Sequence, residues 1–184
     1  MVQIENLKTE QKFKKTEAGE IPVEWEVANL SDLAKINMGQ SPPSLVCFDY
    51  EKGLPFFQGK AEFGTKYPKA LKWCNSPTKI AEKGDILVSV RAPVGDINIA
   101  PEKCCIGRGL AAIQGDKIYQ DFLYFIMIFL KEKLAKTGQG STFEAINKDV
   151  LFELKIPLPP SPEQKKIAEI LLTIDSAIEK SNQL

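Results

Sequence analysis

Histidine is absent from the 184 residues of this chain. Its absence removes the usual general base near neutral pH and the commonest metal ligand. Arginine is almost as scarce: Arg91 and Arg108 stand alone, and every other basic residue is a lysine. The four cysteines, Cys47, Cys74, Cys104 and Cys105, include no pair at the two-residue spacing of zinc and redox motifs. In a strand, Cys104 and Cys105 face opposite ways, so buried free thiols are favoured over a zinc site. Long apolar runs are missing too. The longest, Phe122 to Leu130, is far short of the roughly 20 residues that a membrane span needs. Residues 1–15 are charged throughout and lack a signal-peptide core, so a cytoplasmic location is expected. Charge of one sign is also lacking, with 24 basic residues against 24 acidic. That balance weighs weakly against a nucleic-acid ligand, because phosphate binding rests on Lys and Arg, although their distribution matters more than the total.

What remains is a globular composition, 43% hydrophobic and 26% charged, long enough for one well-buried domain plus an appendage. The stretch from Gly84 to Gln114 organises it. Ile86, Val88 and Val90 alternate with Leu87, Ser89 and Arg91, the period of a strand buried on one face. Pro93 and Gly95 break the run, because proline fixes φ and glycine admits positive φ. Strands over 97–100 and 104–113 follow, the second carrying Gly107-Arg108-Gly109. Both arginines therefore fall at turns of one predicted sheet, where they can face an anion. An ordinary surface charge is the competing reading.

Upstream, residues 23–30 read as a strand, Ser31 as the cap of a short helical turn, and 35–38 as another strand. The Gly39–Ser44 loop is stiffened by two prolines and carries Gln40 and Ser41. After a short strand over 54–58, the chain is rich in lysine. Seven lysines lie between Lys52 and Lys83 against Glu62 and Glu82, interleaved with Phe56, Phe57, Phe63, Tyr67 and Trp73. Lys60, Lys66, Lys69 and Lys72 suit phosphates, while Gln58 and Asn75 have the amide chemistry that reads adenine edges. A solvated face over a hydrophobic core explains the same pattern.

Downstream, Asp116 is the expected cap of a helix to about Lys136, stopped by Gly138. Ser141 and Thr142, beside Gly138 and Gly140, offer hydroxyls and amides to a phosphate, with Lys148 nearby; the P-loop lysine is missing. A short helix to about Asp149 and a strand over 151–156 complete a domain of residues 21–156, preceded by a flexible arm, 1–20. Residues 157–161 read as a proline-rich linker. Ser161-Pro162-Glu163-Gln164 then forms a capping box that opens a helix over 162–184. Ile167, Leu171, Ile174 and Ile178 follow at heptad-like spacing, a seam for a partner helix rather than for the chain's own domain. About 23 residues of helix extend ~35 Å, clear of that domain.

The ordered set of motifs resembles the target recognition domain of type I restriction-modification specificity subunits. It comprises Gly19-Glu20-Ile21-Pro22 with Trp25-Glu26, Met38 to Ser44, Gly53 to Gly59, residues 85–100 with 104–113, Gly138 to Phe143, Ile156 to Pro160, and Glu163 to Ala168. The resemblance covers residues 14–184. It implies a mixed α+β domain with a twisted, mostly antiparallel sheet and flanking helices, followed by a protruding helix. By the same resemblance, the chain recognises double-stranded DNA and is not itself an enzyme. It directs a separate methylation subunit that binds S-adenosylmethionine, and through it a restriction subunit. Such subunits hold two recognition domains, so a half-size subunit that associates with itself, or a fragment of a longer chain, is expected. No cofactor is assigned to this chain, since no glycine-rich loop follows an N-terminal strand and Asn75-Ser76-Pro77 matches an amino-methyltransferase motif only superficially. The residues expected at DNA are Gln40, Ser41, Gln58, Lys60, Lys66, Lys72, Arg91, Arg108, Ser141, Thr142 and Lys148. An interaction adaptor that binds no DNA by itself is the alternative.

Overall fold

The computed structural model describes residues 12–139 and 145–181. In chain order the elements are β1 (Phe13–Thr16), β2 (Gly19–Pro22), β3 (Glu26–Asn29), the one-turn α1 (Leu30–Leu33), β4 (Ala34–Met38), β5 (Cys47–Phe48), β6 (Leu54–Phe57), β7 (Lys72–Cys74) and β8 (Ile80–Ala81). They continue with β9 (Ile86–Ser89), β10 (Ile97–Ile99), β11 (Cys104–Ile106), β12 (Leu110–Gly115), α2 (Gln120–Phe129), α3 (Lys131–Gln139), α4 (Lys148–Phe152), β13 (Lys155–Leu158) and α5 (Ser161–Ser181). The class is α+β with mostly antiparallel pairing; among the described strands only β11 and β6 run parallel.

Two sheets define the layers. One has the order β10-β9-β12-β4, the other β5-β7-β6-β11-β8. The expected alternation in β9 is present, but the strand is buried on both faces rather than one. Ile86, Val88 and Val90 join Ala111 and Ile113 of β12 in a core covered by helices, with Phe122, Leu123, Met127, Leu134 and Leu151. Leu87 points the other way, with Leu110 and Ala112, onto Phe57, Cys104 and Ile106 of the second sheet. A third, smaller cluster on the far side of that sheet holds Phe56, Cys74 and Cys105. Cys104 and Cys105 thus face opposite ways, as a strand dictates. Each fully buried Leu, Ile or Phe contributes about 1.5–3 kcal/mol relative to exposure, so these cores fix the strand register from which the turns project.

Several boundaries differ from expectation. The helix expected from Asp116 starts at Gln120 instead, because the amides of Asp116 and Lys117 both donate to the Leu33 carbonyl and hold that stretch in a bend. It bends at Leu130, and α3 then runs through Gly138 to Gln139 rather than stopping at the glycine. Asn29, not Ser31, stands at the N-cap of α1, whose first amide donates to Leu154 O. The final strand falls at Lys155–Leu158, after α4 occupies residues 148–152, so Pro157 and Leu158 pair with Val27 and Glu26.

The capping box does not close. Gln164 is buried, and its side chain accepts from Tyr119 N and donates to Pro159 O, both at 2.9 Å. Pro160 O receives the amides of Glu163 and Gln164 in its place. Trp25 Nε1 also donates to Glu163 Oε2 at 3.2 Å. The start of α5 is therefore docked, contrary to the expectation of a helix clear of its domain. Ala168 is fully buried and Ile167 packs on the helix-covered core. Leu171 is half-buried, while Ile170, Ile174 and Ile178 are about half exposed.

Candidate nucleic-acid interface

Three chain segments cross at one end of the sheets. The backbones there approach too closely for side chains: a Cβ on Gly39 would overlap Gly107 O, and one on Gly109 would overlap Gln58 O. Hydrogen bonds lock the crossing, from Gly39 N to Leu110 O at 2.8 Å, Gln40 N to Ile106 O at 3.1 Å, Gly107 N to Phe57 O at 2.8 Å and Gly109 N to Gln58 O at 3.1 Å. Ser41 Oγ accepts from Arg108 N at 3.2 Å, which ties the proline-stiffened loop to the arginine turn. The glycine-rich character of Gly39 and of the Gly107–Gly109 turn is thus a packing requirement.

The second arginine turn is pinned differently. Ser89, buried at the end of β9, places its hydroxyl 3.0 Å from Arg91 O and 2.8 Å from Pro93 O. Gly95 takes φ +92° beyond it, as the sequence anticipated. Arg91 itself forms an isolated bridge with Ala145, and Ile146 N donates to Val90 O at 2.9 Å. The backbone is held, and the side chain stays exposed.

Between these turns lies a cleft of about 620 Å³, lined by Gln58, Lys60, Glu62, Arg91 and Arg108 together with backbone of Gly59 and Gly109. Four of the residues expected at DNA therefore converge, although they come from three separate stretches of sequence. Glu62 is occupied within its own loop, where its carboxylate accepts from Gly59 N at 3.1 Å. Two guanidinium groups and a lysine beside one internally bonded carboxylate make this a cationic concavity, suited to an anionic ligand.

Other expected residues are distributed more widely. Ser41 stands beside the cleft through its bond to Arg108, and Gln40 is exposed on the same loop. Lys66 is half-buried and its carbonyl accepts from Ile99 N. Lys72 lies in β7, 3.8 Å from Asp49, and does not line the cleft. Lys148 starts α4 and sits over the Phe152 ring at 4.5 Å. Ser141 and Thr142 lie outside the described residues.

Two residues of the β9–β10 region escaped the sequence reading. Asp96, with a side chain 13% exposed, bridges Lys60 at 2.5 Å and Lys131. Burial opposes its ionisation, but hydrogen bonds from Lys131 and Lys60 outweigh this and hold its carboxyl below the ordinary value. Asn98 is buried and makes a two-way contact with Gly64, Oδ1 accepting from its amide and Nδ2 donating to its carbonyl, both at 3.1 Å. The signal was their spacing of two across the start of β10, which begins at Ile97.

Comparison with known proteins gives a consistent result. Residues 22–184 match the family described as the type I restriction modification DNA specificity domain. The chain is 52% identical over 171 residues to the putative type I restriction enzyme MjaX specificity subunit of Methanocaldococcus jannaschii, covering 91% of this chain and 40% of that protein. A crystal structure of the HsdS subunit from Thermoanaerobacter tengcongensis superposes with TM-score 0.78 at 41% identity, over 91% of this chain and 41% of the other. A chain from work on complex assembly and conformational transition of the type I R-M system gives TM-score 0.81 at 41% identity, over 93% and 43%. The chain spans about two fifths of the length of these relatives.

Proposed function

Because the chain belongs to the type I restriction modification DNA specificity family, we propose that it is a sequence-reading module, with the two-arginine cleft as its principal contact with double-stranded DNA. The observation that carries this reading is the convergence of Gln58, Lys60, Arg91 and Arg108 on one cleft. An arginine fork matches the two acceptors of a guanine edge, and a glutamine amide matches adenine. Lys60, with Gln40 and Ser41 at the margin, provides phosphate contacts that set register without selecting sequence. The chain does no bond-making chemistry in this scheme. A methylation subunit that binds S-adenosylmethionine acts on the site the cleft has chosen, and a restriction subunit joins through it. The exposed Ile174 and Ile178 of α5 are the helix-pairing positions, continuing the seam that Ile167 and Leu171 begin within the domain.

The test mixes this chain with a methylation subunit, labelled S-adenosylmethionine and genomic DNA, then maps the methylated positions. Methylation at one split motif that disappears without the chain is the expected result. A palindromic motif would indicate a self-associated pair reading two half-sites. Unrestricted methylation, persisting when α5 is extended, would favour an adaptor without DNA recognition of its own.

A further inference from the structure

The loop between β6 and β7 carries Lys60 and Glu62 of the cleft, yet its only regular element between those strands is one 3-10 turn, Lys60–Glu62. Phe63 and Ala70 pack against the inter-sheet core as partly buried anchors. Within the loop, Glu62 accepts from Gly59 N through its carboxylate and from Lys69 N through its carbonyl; further restraints come from the β10 side of the sheet. Asn98 grips Gly64 through both amide groups, Ile99 N donates to Lys66 O at 2.9 Å, and Asp96 holds Lys60 from one side and Lys131 of α3 from the other. Asp96, the residue before β10, and Asn98 within it stand two positions apart, and both reach the loop.

An ion pair of this kind is a weak source of stability. The lysines are nearly half exposed, 44% and 48%, while Asp96 is 13% exposed. Desolvating that carboxylate offsets much of the attraction it gains. What the arrangement does supply is direction, since two cations on different elements are referred to one carboxylate whose own backbone follows the Arg91 turn. Arg91 and Lys60 thereby share one mechanical reference.

We propose that Asp96 is a positioning residue for the recognition loop: it acts through Lys60 to fix residues 59–66 against the Arg91 turn, and so sets the width of the sequence-reading cleft. This rests on the cleft being the DNA surface. Two measurements separate the claims. In the DNA-free chain, Asp96→Asn is expected to accelerate hydrogen exchange at the Phe63 and Gly64 amides about tenfold, leaving Val88 and Ala112 in the cores unchanged. Lys60→Met removes the same pair from the other side and should reproduce that acceleration, which keeps the test open should Asp96→Asn fold poorly. Unchanged loop exchange in both variants would overturn the proposal without any reference to DNA.

The second measurement selects duplexes from a random-sequence library with the chain bound to a methylation subunit. Affinity for the selected duplex is then compared with that for a scrambled one. Asp96→Asn should lower the ratio of the two affinities about tenfold, the effect of roughly one mismatched base pair. In a Lys60→Met background the same substitution should change the ratio less than about twofold, because its route is gone. Equal effects in both backgrounds, or equal weakening toward both duplexes, would overturn the positioning role. Selection of no sequence by the wild type would refute the DNA reading itself, while the exchange data would still decide whether Asp96 holds the loop.

Discussion

Replacing Gln164 with leucine tests how α5 is joined to its domain. The substitution keeps roughly the same volume and deletes two hydrogen bonds at 2.9 Å, one from Tyr119 N and one to Pro159 O. The Tyr119 amide belongs to the N-cap of α2, and a leucine leaves it facing apolar atoms. A stranded, partly buried amide costs about 1–3 kcal/mol, and the second bond contributes about 1 kcal/mol net. The expected loss is therefore about 2–4 kcal/mol, and each kcal/mol lowers Tm by about 2–4 °C in a domain of this size. Urea unfolding followed by circular dichroism gives the midpoint and slope together, so a stability change is separated from a change in exposed surface. Gln164→Glu supplies the control. Its carboxylate still accepts from Tyr119 N but meets Pro159 O without a proton, so it should be at least as damaging at pH 7 and partly recover in acid. A loss below about 0.5 kcal/mol for the leucine variant, within the range of an ordinary surface substitution, would refute the docking argument.

Three further outcomes follow. Arg91→Ala and Arg108→Ala should each weaken DNA binding and reduce the steepness of its salt dependence, with Tm within about 2 °C of wild type, because both side chains are exposed; equal loss of folding would make the arginines structural. The carboxyl of Asp96 has a folded value below its ordinary 3.8, so its stabilisation is complete above that pH and is lost as pH falls through the folded value. The difference in urea midpoint between wild type and Asp96→Asn should accordingly shrink below about pH 4, and a constant difference would remove the ion-pair explanation. Cys104 and Cys105 are pushed up to about 12, chiefly by burial, so native labelling with iodoacetamide at pH 8 should modify the partly accessible Cys47 first; rapid adducts on Cys104 would contradict the burial.

Much of the fold was legible because the signals were local. The alternation through Ile86, Val88 and Val90 identified the side of β9 that meets the helices. It did not reveal that Leu87 is covered as well, since burial against a second sheet depends on β6 and β11, which pair in parallel across a long separation. The two arginines could be named as turn residues, but their shared cleft arises from the backbone crossing at Gly39, Gly107 and Gly109. Asp96 and Asn98 looked like ordinary turn and strand positions because their partners, Lys60 and Gly64, lie more than thirty residues upstream. Gln164 was misassigned for a related reason: its spacing from Ser161 suits a local cap, and a tertiary donor, Tyr119 N, together with the nearby Pro159 O, competes successfully for the same amide.

On the proposed reading of α5 as a pairing helix, its docking bears on how distance along DNA would be measured. From Gln164 to Ile178 the helix axis advances about 21 Å. A rotation of 10° at the dock would sweep Ile178 sideways by about 3.6 Å, close to the 3.4 Å step between base pairs. If α5 serves as the pairing helix proposed above, the contact of Gln164 with Tyr119 at its root would act as the bearing of a ruler, and its angular tolerance would become a spacing tolerance at the far end. A loose bearing would blur the interval between two half-sites even if every base contact in the cleft were unchanged.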